Sequence, residues 1–294
     1  MTDRPDTVTP LRRPVHLSEF APAKVNLFLH LRGVRDDGYH LLESLAVFPE
    51  LGDTLEWEDG PGLSLSLDGP FGWDLPADAD NLVLRAAERL AAAAGLARAR
   101  GALRLVKNLP VASGIGGGSA DAAATLRLLA RAWRVEVPDG LALALGADVP
   151  VCTQAPAACF MEGVGDVLRP APPLPRFWMV LVNPLKPVET RAVFRATAEK
   201  DRPAMAPLPE AGFADARALI DWLAEGRNDL EPAARSLCPA VSSVLEALGT
   251  APLARMSGSG ATCFGLFEDR MSAISAADAL RTAHPDWWCA AAPC

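Results

Sequence analysis

Between Leu109 and Ala123 the chain reads Leu-Pro-Val-Ala-Ser-Gly-Ile-Gly-Gly-Gly-Ser-Ala-Asp-Ala-Ala, with four glycines in the five positions 114–118 and strong helix formers from Ser119 onward. A glycine cluster that feeds a helix start offers closely spaced backbone N–H groups and the positive end of a helix dipole. The chemistry this suits is phosphate binding. The plainer alternative is a tight strand-to-helix turn with no ligand. Two familiar phosphate loops are excluded by spacing. A Walker loop needs Gly-Lys before Ser or Thr, and no Gly-Lys pair exists here; a G-x-G-x-x-G fingerprint fails at Ser119 when read from Gly114 and at Asp121 when read from Gly116.

Other residues with chemical potential are sparse. Only four of the 28 basic residues are lysines, at 24, 107, 186 and 200, so a Lys inside an apolar run stands out. Lys24 lies in Ala-Lys-Val-Asn-Leu-Phe-Leu-His-Leu, where period two puts Lys24, Asn26, Phe28 and His30 on one strand face and Val25, Leu27, Leu29 and Leu31 on the other. Tyr39 is the single tyrosine and follows the turn Arg35-Asp36-Asp37-Gly38, with His40 next to it. Asp148 follows a Gly-Ala pair, where its plain role would be that of a turn or helix-cap carboxylate. Ser257-Gly258-Ser259-Gly260-Ala261 forms a second glycine loop, read as a helix-to-strand turn unless it lets backbone approach a ligand. The six cysteines make no C-x-x-C pair and do not cluster with histidine, which argues against a zinc site or a disulfide framework.

The elements that must position these residues follow from pattern. His16 to Arg32 reads as a strand pair or one long strand, with strands at 41–48 and within 53–67. Asp80 or Asn81 caps a helix to about Ala94, stopped by Gly95. Residues 102–107 form a strand, 119–133 a helix, 139–145 another helix, 147–152 an extended segment and 157–162 a strand. Four prolines in 170–175 mark a linker. Beyond it lie a buried strand at 177–182, helices at 189–197, 214–223 and 239–248, a strand after the second glycine loop, a helix at 272–282 and a last strand at 287–291. Strands and helices mix without strict alternation, which favours α+β over a doubly wound sheet.

Composition sets outer bounds. Half of the 294 residues are hydrophobic, enough for a large core, and the net charge is −8 without any basic block, which argues against nucleic acid as a partner. Residues 1–14 are polar, contain proline and have no hydrophobic targeting core, so they are expected to be disordered rather than a signal peptide. No apolar run is long enough to span a membrane. A cytoplasmic protein with no membrane or nucleic-acid partner, monomeric or a homodimer, is expected.

Three segments in order, Pro22-Ala23-Lys24-Val25-Asn26-Leu27, the loop Pro110–Ala120 and Ser257–Ala261, resemble the three motifs of the GHMP kinase superfamily of small-molecule kinases. Asp37-Gly38-Tyr39-His40 and Gly146-Ala147-Asp148-Val149-Pro150 resemble the branch that acts on a cytidine diphosphate derivative of methylerythritol, on the non-mevalonate route to isoprenoids. The similarity runs from about Phe20 to Glu268. It implies an α+β, two-domain GHMP kinase fold, with an N-terminal nucleotide-binding domain over 15–169 and a C-terminal, ferredoxin-like domain over 170–294. It implies transfer of the γ-phosphoryl of ATP, with Mg²⁺ carried by the ATP, to the 2-hydroxyl of the methylerythritol unit.

The same resemblance assigns roles. Asp148 would accept the hydroxyl proton, and Lys24 would offset the developing charge beside it. Pro110, Val111, Ala112, Ser113, Gly114, Ile115, Gly116, Gly117, Gly118, Ser119 and Ala120 would cradle ATP; the family often has a second serine where Ala120 stands, so one hydroxyl contact is missing. Asn26 would orient the methylerythritol. Tyr39 would stack on the cytosine, His40 would bond its edge, and Phe194 would be the opposite plate, on a loose alignment. Gly258, Ser259 and Gly260 would approach the substrate. A GHMP enzyme for homoserine or mevalonate fits the Asp-Gly-Tyr-His turn poorly, since those substrates carry no base to stack. A catalytically silent sensor fits poorly with the presence of both Lys24 and Asp148.

Overall fold

The computed structural model describes residues 16–294 apart from positions 112, 200, 210 and 211. The expectation for residues 1–14 therefore lies outside the described residues, as does Ala112 of the glycine loop. The chain before the proline-rich 170–175 stretch builds two four-stranded sheets. In the first, β1 (His16–Pro22), β4 (Gly52–Glu58), β6 (Gly101–Val106) and β5 (Leu63–Asp68) lie side by side in that order, with β5 and β6 parallel. In the second the order is β2 (Val25–Val34), β3 (His40–Val47), β7 (Cys159–Glu162) and β8 (Val167–Pro170), all antiparallel.

β1 and β2 are consecutive but do not pair. At the junction the amides of Ala23 and Lys24 leave the ladder and donate to Leu51 O and Ile115 O, at 2.8 and 2.9 Å. The chain thus crosses between sheets at Lys24, which corrects the reading of 16–32 as a pair or one strand.

Helix α1 (Leu82–Ala93) is capped by Asn81, whose side chain accepts from Val83 N. It packs with α2 (Gly117–Trp133) against the first sheet in a core that includes Leu55, Trp57, Leu90, Leu103 and Leu128. Two short helices follow, α3 (Leu141–Leu145) and α4 (Val149–Cys152). The extended segment expected at 147–152 is in fact α4: Asp148 occupies its N-cap position and Pro150 its first turn, where proline's fixed φ suits a helix start. Helix α2 also begins at Gly117, two residues before Ser119.

The second half forms a four-stranded antiparallel sheet of order β10 (Leu253–Met256), β11 (Cys263–Phe267), β9 (Trp178–Asn183) and β12 (Trp288–Pro293). Its helices are α5 (Thr190–Ala196), α6 (Ala216–Ala224), α7 (Glu231–Leu237), α8 (Ala240–Ala247) and α9 (Arg270–Ala283). The second glycine loop connects β10 to β11, two paired strands, and so is a strand-to-strand turn rather than a helix-to-strand turn.

The halves are joined along the edge of β2 that β3 does not cover. Leu29 N donates to Arg227 O and Leu29 O accepts from Asp229 N, both at 2.9 Å; Leu31 O accepts from Arg202 N at 3.0 Å. Leu31 N donates to Asp229 Oδ2 at 2.8 Å, Asn26 N to Ser257 Oγ at 3.1 Å, and Arg255 Nη1 to Leu27 O at 2.7 Å. The C-terminal half thereby satisfies a strand edge that would otherwise leave buried polar groups unpaired. The side chains of β2 follow: Val25, Leu27 and Phe28 pack into the core around Phe177 and Leu219, and Leu29 and Leu31 into that around Val182 and Leu230, so β2 is buried on both faces from Val25 to Leu31, where the alternation would allow one face to see solvent.

Candidate active site

A cavity of about 680 Å³ lies between the two halves. One wall is the first glycine loop. Gly114 and Gly116 have φ of +73° and +64°, the left-handed region that glycine takes at little cost. Gly116 is the N-cap of α2, no side chain caps that end, and the first bond of the helix runs from Ala120 N to Gly116 O. The N–H groups of the first turn are therefore the orphan donors of a helix start, and Gly116, Gly117, Gly118 and Ser119 line the cavity. Pro110, Val111, Ser113 and Gly114 also line it. Ile115 and Ala120 belong to the core instead, the first supplying the carbonyl that receives Lys24 N.

Lys24 and Asp148 meet across this loop. Lys24 Nζ is 3.1 Å from Asp148 Oδ1, with side chains 5% and 43% exposed. The crossover between sheets sets Lys24 beside Gly116, and the start of α4 sets Asp148 at the rim. A buried ammonium with an accessible carboxylate partner can meet an anion on one side and a hydroxyl on the other.

The second glycine loop packs directly on the first. A Cβ on Gly114 would lie 2.3 Å from Gly260 O, so only glycine permits this approach. Thr262 Oγ1 and N both donate to Ser113 O, at 2.6 and 3.2 Å. Gly258, Ser259 and Gly260 line the cavity, and Ser259 Oγ shares a 2.8 Å hydrogen bond with Thr190 Oγ1 at the start of α5. Asn26 also lines it: its Nδ2 donates to Ser44 Oγ at 2.7 Å, while its Oδ1 is buried without a hydrogen-bond partner among the described residues. That orphan acceptor is suited to a ligand hydroxyl.

The aromatic residues are arranged less uniformly. Phe194 lines the cavity and its ring packs against His40, centroids 5.0 Å apart. Tyr39 stands on the β2–β3 turn, 65% exposed, with its N–H donating to Asp37 Oδ1 at 3.2 Å. Tyr39 and His40 are outside the cavity lining. The structure brings Phe194 to His40 and not to Tyr39.

One cluster escaped the sequence reading. Lys107, 2% exposed, is ion-paired with both Asp53 and Asp121, the latter at 2.8 Å. It lies directly beneath the glycine loop, 3.0 Å from where a Cβ of Gly117 would stand. Asp53 Oδ1 also accepts from Asn108 N and Leu109 N, at 2.6 and 2.9 Å, and so ties down the loop's entry. Burial opposes the charge on Lys107, but the two carboxylates outweigh it and its pKa is raised. Burial likewise raises that of Asp121, against the pull of Lys107. The signal was present, since Lys107 is one of four lysines and ends an apolar strand.

Residues 81–167 match the family model for the GHMP kinases N terminal domain, and 206–286 that for GHMP kinases C terminal. The 4-diphosphocytidyl-2-C-methyl-D-erythritol kinase of Ruegeria pomeroyi is 53% identical over 280 residues, covering 93% of this chain and 98% of its own. The protein of the same name from Paramagnetospirillum magneticum is 52% identical, covering 92% and 96%. A crystal structure of 4-(cytidine 5'-diphospho)-2C-methyl-D-erythritol kinase superposes with a TM-score of 0.76 at 35% identity, covering 94% of this chain and 98% of that one. The mevalonate kinase of L. major shares the fold, at a TM-score of 0.66, but only 16% identity, with 97% and 98% covered. The chain belongs to the GHMP kinase family, in its branch of 4-diphosphocytidyl-2-C-methyl-D-erythritol kinases.

Proposed function

We propose that this protein transfers the γ-phosphoryl group of ATP to the 2-hydroxyl of 4-diphosphocytidyl-2-C-methyl-D-erythritol, in the non-mevalonate route to isoprenoid precursors. The observation that carries the reading is the Lys24–Asp148 pair at 3.1 Å beside the uncapped start of α2, in one cavity. Phosphoryl transfer asks for positioning and charge stabilisation more than for covalent chemistry. The N–H groups of Gly117, Gly118 and Ser119 would hold the phosphates on the helix dipole. Asp148 would take the proton of the attacking hydroxyl, which bonds to the γ-phosphorus as the bond to the β-phosphate oxygen breaks. Lys24 would neutralise charge on the transferring group. Mg²⁺ would enter as the ATP chelate and offset phosphate charge, and Ser119, in the cavity lining, offers an oxygen donor of the kind it takes.

The remaining lining suggests where each substrate lies. Leu75, Pro76, Asn81 and Leu82 flank the loop on the α1 side and form a largely apolar floor for the purine. Asn26 and the Gly258–Gly260 loop face the methylerythritol. The cytosine would rest against the Phe194–His40 pair, with exposed Tyr39 turning in to cover it. The N-terminal unit, 15–169, would bind the nucleotide, and 170–294 would close over the acceptor. Among the described residues no helix is long and apolar enough to cross a membrane; a cytoplasmic monomer or homodimer suits the substrates.

The test is turnover of ATP with the cytidine diphosphate substrate, the site of phosphorylation being read by ³¹P and ¹³C NMR. Phosphate on the 2-hydroxyl is expected. Turnover of mevalonate or homoserine in its place, or nucleotide binding without turnover of any of them, would overturn the reading.

A further inference from the structure

The second glycine loop has no helix or sheet of its own to fix its aim. Its internal bonds are Ser257 N to Thr262 O at 2.9 Å and Gly260 N to Ser257 O at 3.0 Å, and neither uses the carbonyl of Gly258. That carbonyl is taken from outside. Asn228, 5% exposed, donates through Nδ2 to Gly258 O and to Met256 O, both at 2.8 Å, and accepts at Oδ1 from Leu230 N at 3.0 Å. Both amide hydrogens are used, so the side chain is held at three points.

Asn228 is itself registered on the strand that carries the active-site residues. It forms a parallel bridge with Leu29, and its neighbours Arg227 and Asp229 bond the Leu29 backbone on either side. The far side of the loop touches the other machinery: a Cβ on Gly258 would lie 3.0 Å from Gly114 O of the phosphate loop and 3.5 Å from Asn26 Oδ1. The position of Gly258 is therefore set between a grip on one side and the two binding elements on the other. Asn228 does not line the cavity and reaches the ligands only through the loop.

We infer that Asn228 is a positioning residue for this reaction: its amide grips the second glycine loop and fixes Gly258 and Ser259 relative to Asn26 and Lys24, where the acceptor alcohol must sit. The inference rests on the kinase reading above. Asp in place of Asn keeps the shape but inverts the chemistry. Protonated, it retains one O–H donor; ionised, it sets one oxygen against both carbonyl oxygens while the other still accepts from Leu230 N. The charged and titratable groups around position 228 are Arg227 and Asp229, which bond each other, Arg202, paired with Asp229, His30, which accepts from Arg227 N, Glu231, which accepts from Met256 N, and Arg255, which donates to Gly226 O.

The experiment compares wild type, Asn228→Asp and Asn228→Ala as full chains. In Asn228→Ala, KM for the cytidine substrate is expected to rise about tenfold or more while KM for ATP stays within about threefold, as expected when buried acceptors lose their donor. In Asn228→Asp, kcat/KM for that substrate should fall as pH rises through the new carboxyl's titration, a limb absent from wild type and from Asn228→Ala. Hydrogen exchange of the 257–261 amides should be faster in Asn228→Ala than in wild type, whether or not the protein turns over. Unchanged acceptor KM with unchanged exchange, no new pH limb, or failure of both variants to fold would each overturn the inference. An inactive wild type would instead sink the kinase reading, and the exchange measurement would still decide the role of Asn228.

Discussion

At the scale of single residues, Asp148 and Lys24 are unequal partners. Asp148 is 43% exposed and caps nothing with its side chain, so Asp148→Asn should leave the melting temperature close to wild type. Its kcat should nonetheless fall roughly 10²–10⁴-fold, the usual contribution of a general base; a kcat within about threefold of wild type would remove Asp148 from that role. Lys24 is buried against Gly116, and Lys24→Arg should rescue activity poorly because a planar fork needs room that a compact ammonium does not. Full activity in the Arg variant would mean that only positive charge is required. Lys24 was legible in the sequence because lysine is rare in this chain and this one lies in an apolar run. Its pairing with Asp148 was legible only through family resemblance, since no local pattern links residues so far apart. The Lys107 cluster shows the same limit. Lys107 could have been marked by its place at the end of an apolar strand, but Asp53 meets it because Thr54 pairs with Val106 across β4 and β6. That register is a tertiary fact.

At the scale of elements, the two glycine loops behave as one unit. Gly114 has a φ of +73°, and a Cβ there would collide with Gly260 O at 2.3 Å. Gly114→Ala should therefore lower the melting temperature and raise KM for ATP and acceptor together, and a variant with wild-type stability and kinetics would contradict the contact. Gly118 differs: it is exposed, and a Cβ would meet only Leu82 Cδ1 at an ordinary 3.5 Å. Gly118→Ala should melt no lower than wild type, since alanine is the better helix former, yet raise KM for ATP by crowding the amides where phosphate docks. Loss of stability in that variant would show the first turn to be strained instead. Most elements with strong periodicity were legible, including α1 with its Asn81 cap and the strand before the first glycine loop. Those that failed were short or non-periodic. β8 has four residues after a Gly-x-Gly turn, and α4 is one turn set by Asp148 and Pro150. α7 follows Asn228 and Asp229, whose side chains also reach distant partners, Gly258 and Leu31.

At the scale of the whole molecule, the union of the two halves depends on β2, and a buried imidazole sits inside that seam beside the Asp229 carboxylate. His30 is fully buried, and its Nε2 accepts from Arg227 N at 3.1 Å, next to the backbone bonds that dock the C-terminal half. Burial, and then the charge of Arg227, lowers its pKa to about 4 from 6.5, with Asp229 pulling the other way and Arg255 and Arg32 adding to the fall. Between these values the unfolded chain carries a proton that the folded chain refuses. Stability from this group is thus complete above pH 6.5 and lost as pH falls toward 4, by on the order of 3 kcal/mol. Protonation would also turn the Nε2 acceptor into a donor facing an N–H group, so the seam itself is what weakens. The melting temperature of wild type should fall between pH 6.5 and 4.5, with earlier exchange of the Leu29 and Leu31 amides than of the β4–β6 core. His30→Gln keeps an acceptor near Nε2 and cannot titrate. It should be less stable than wild type at pH 7, through lost packing against Phe28, but its melting temperature should depend less steeply on pH over that interval. Equal slopes in the two proteins would assign the acid response to other groups and leave His30 as a packing residue only.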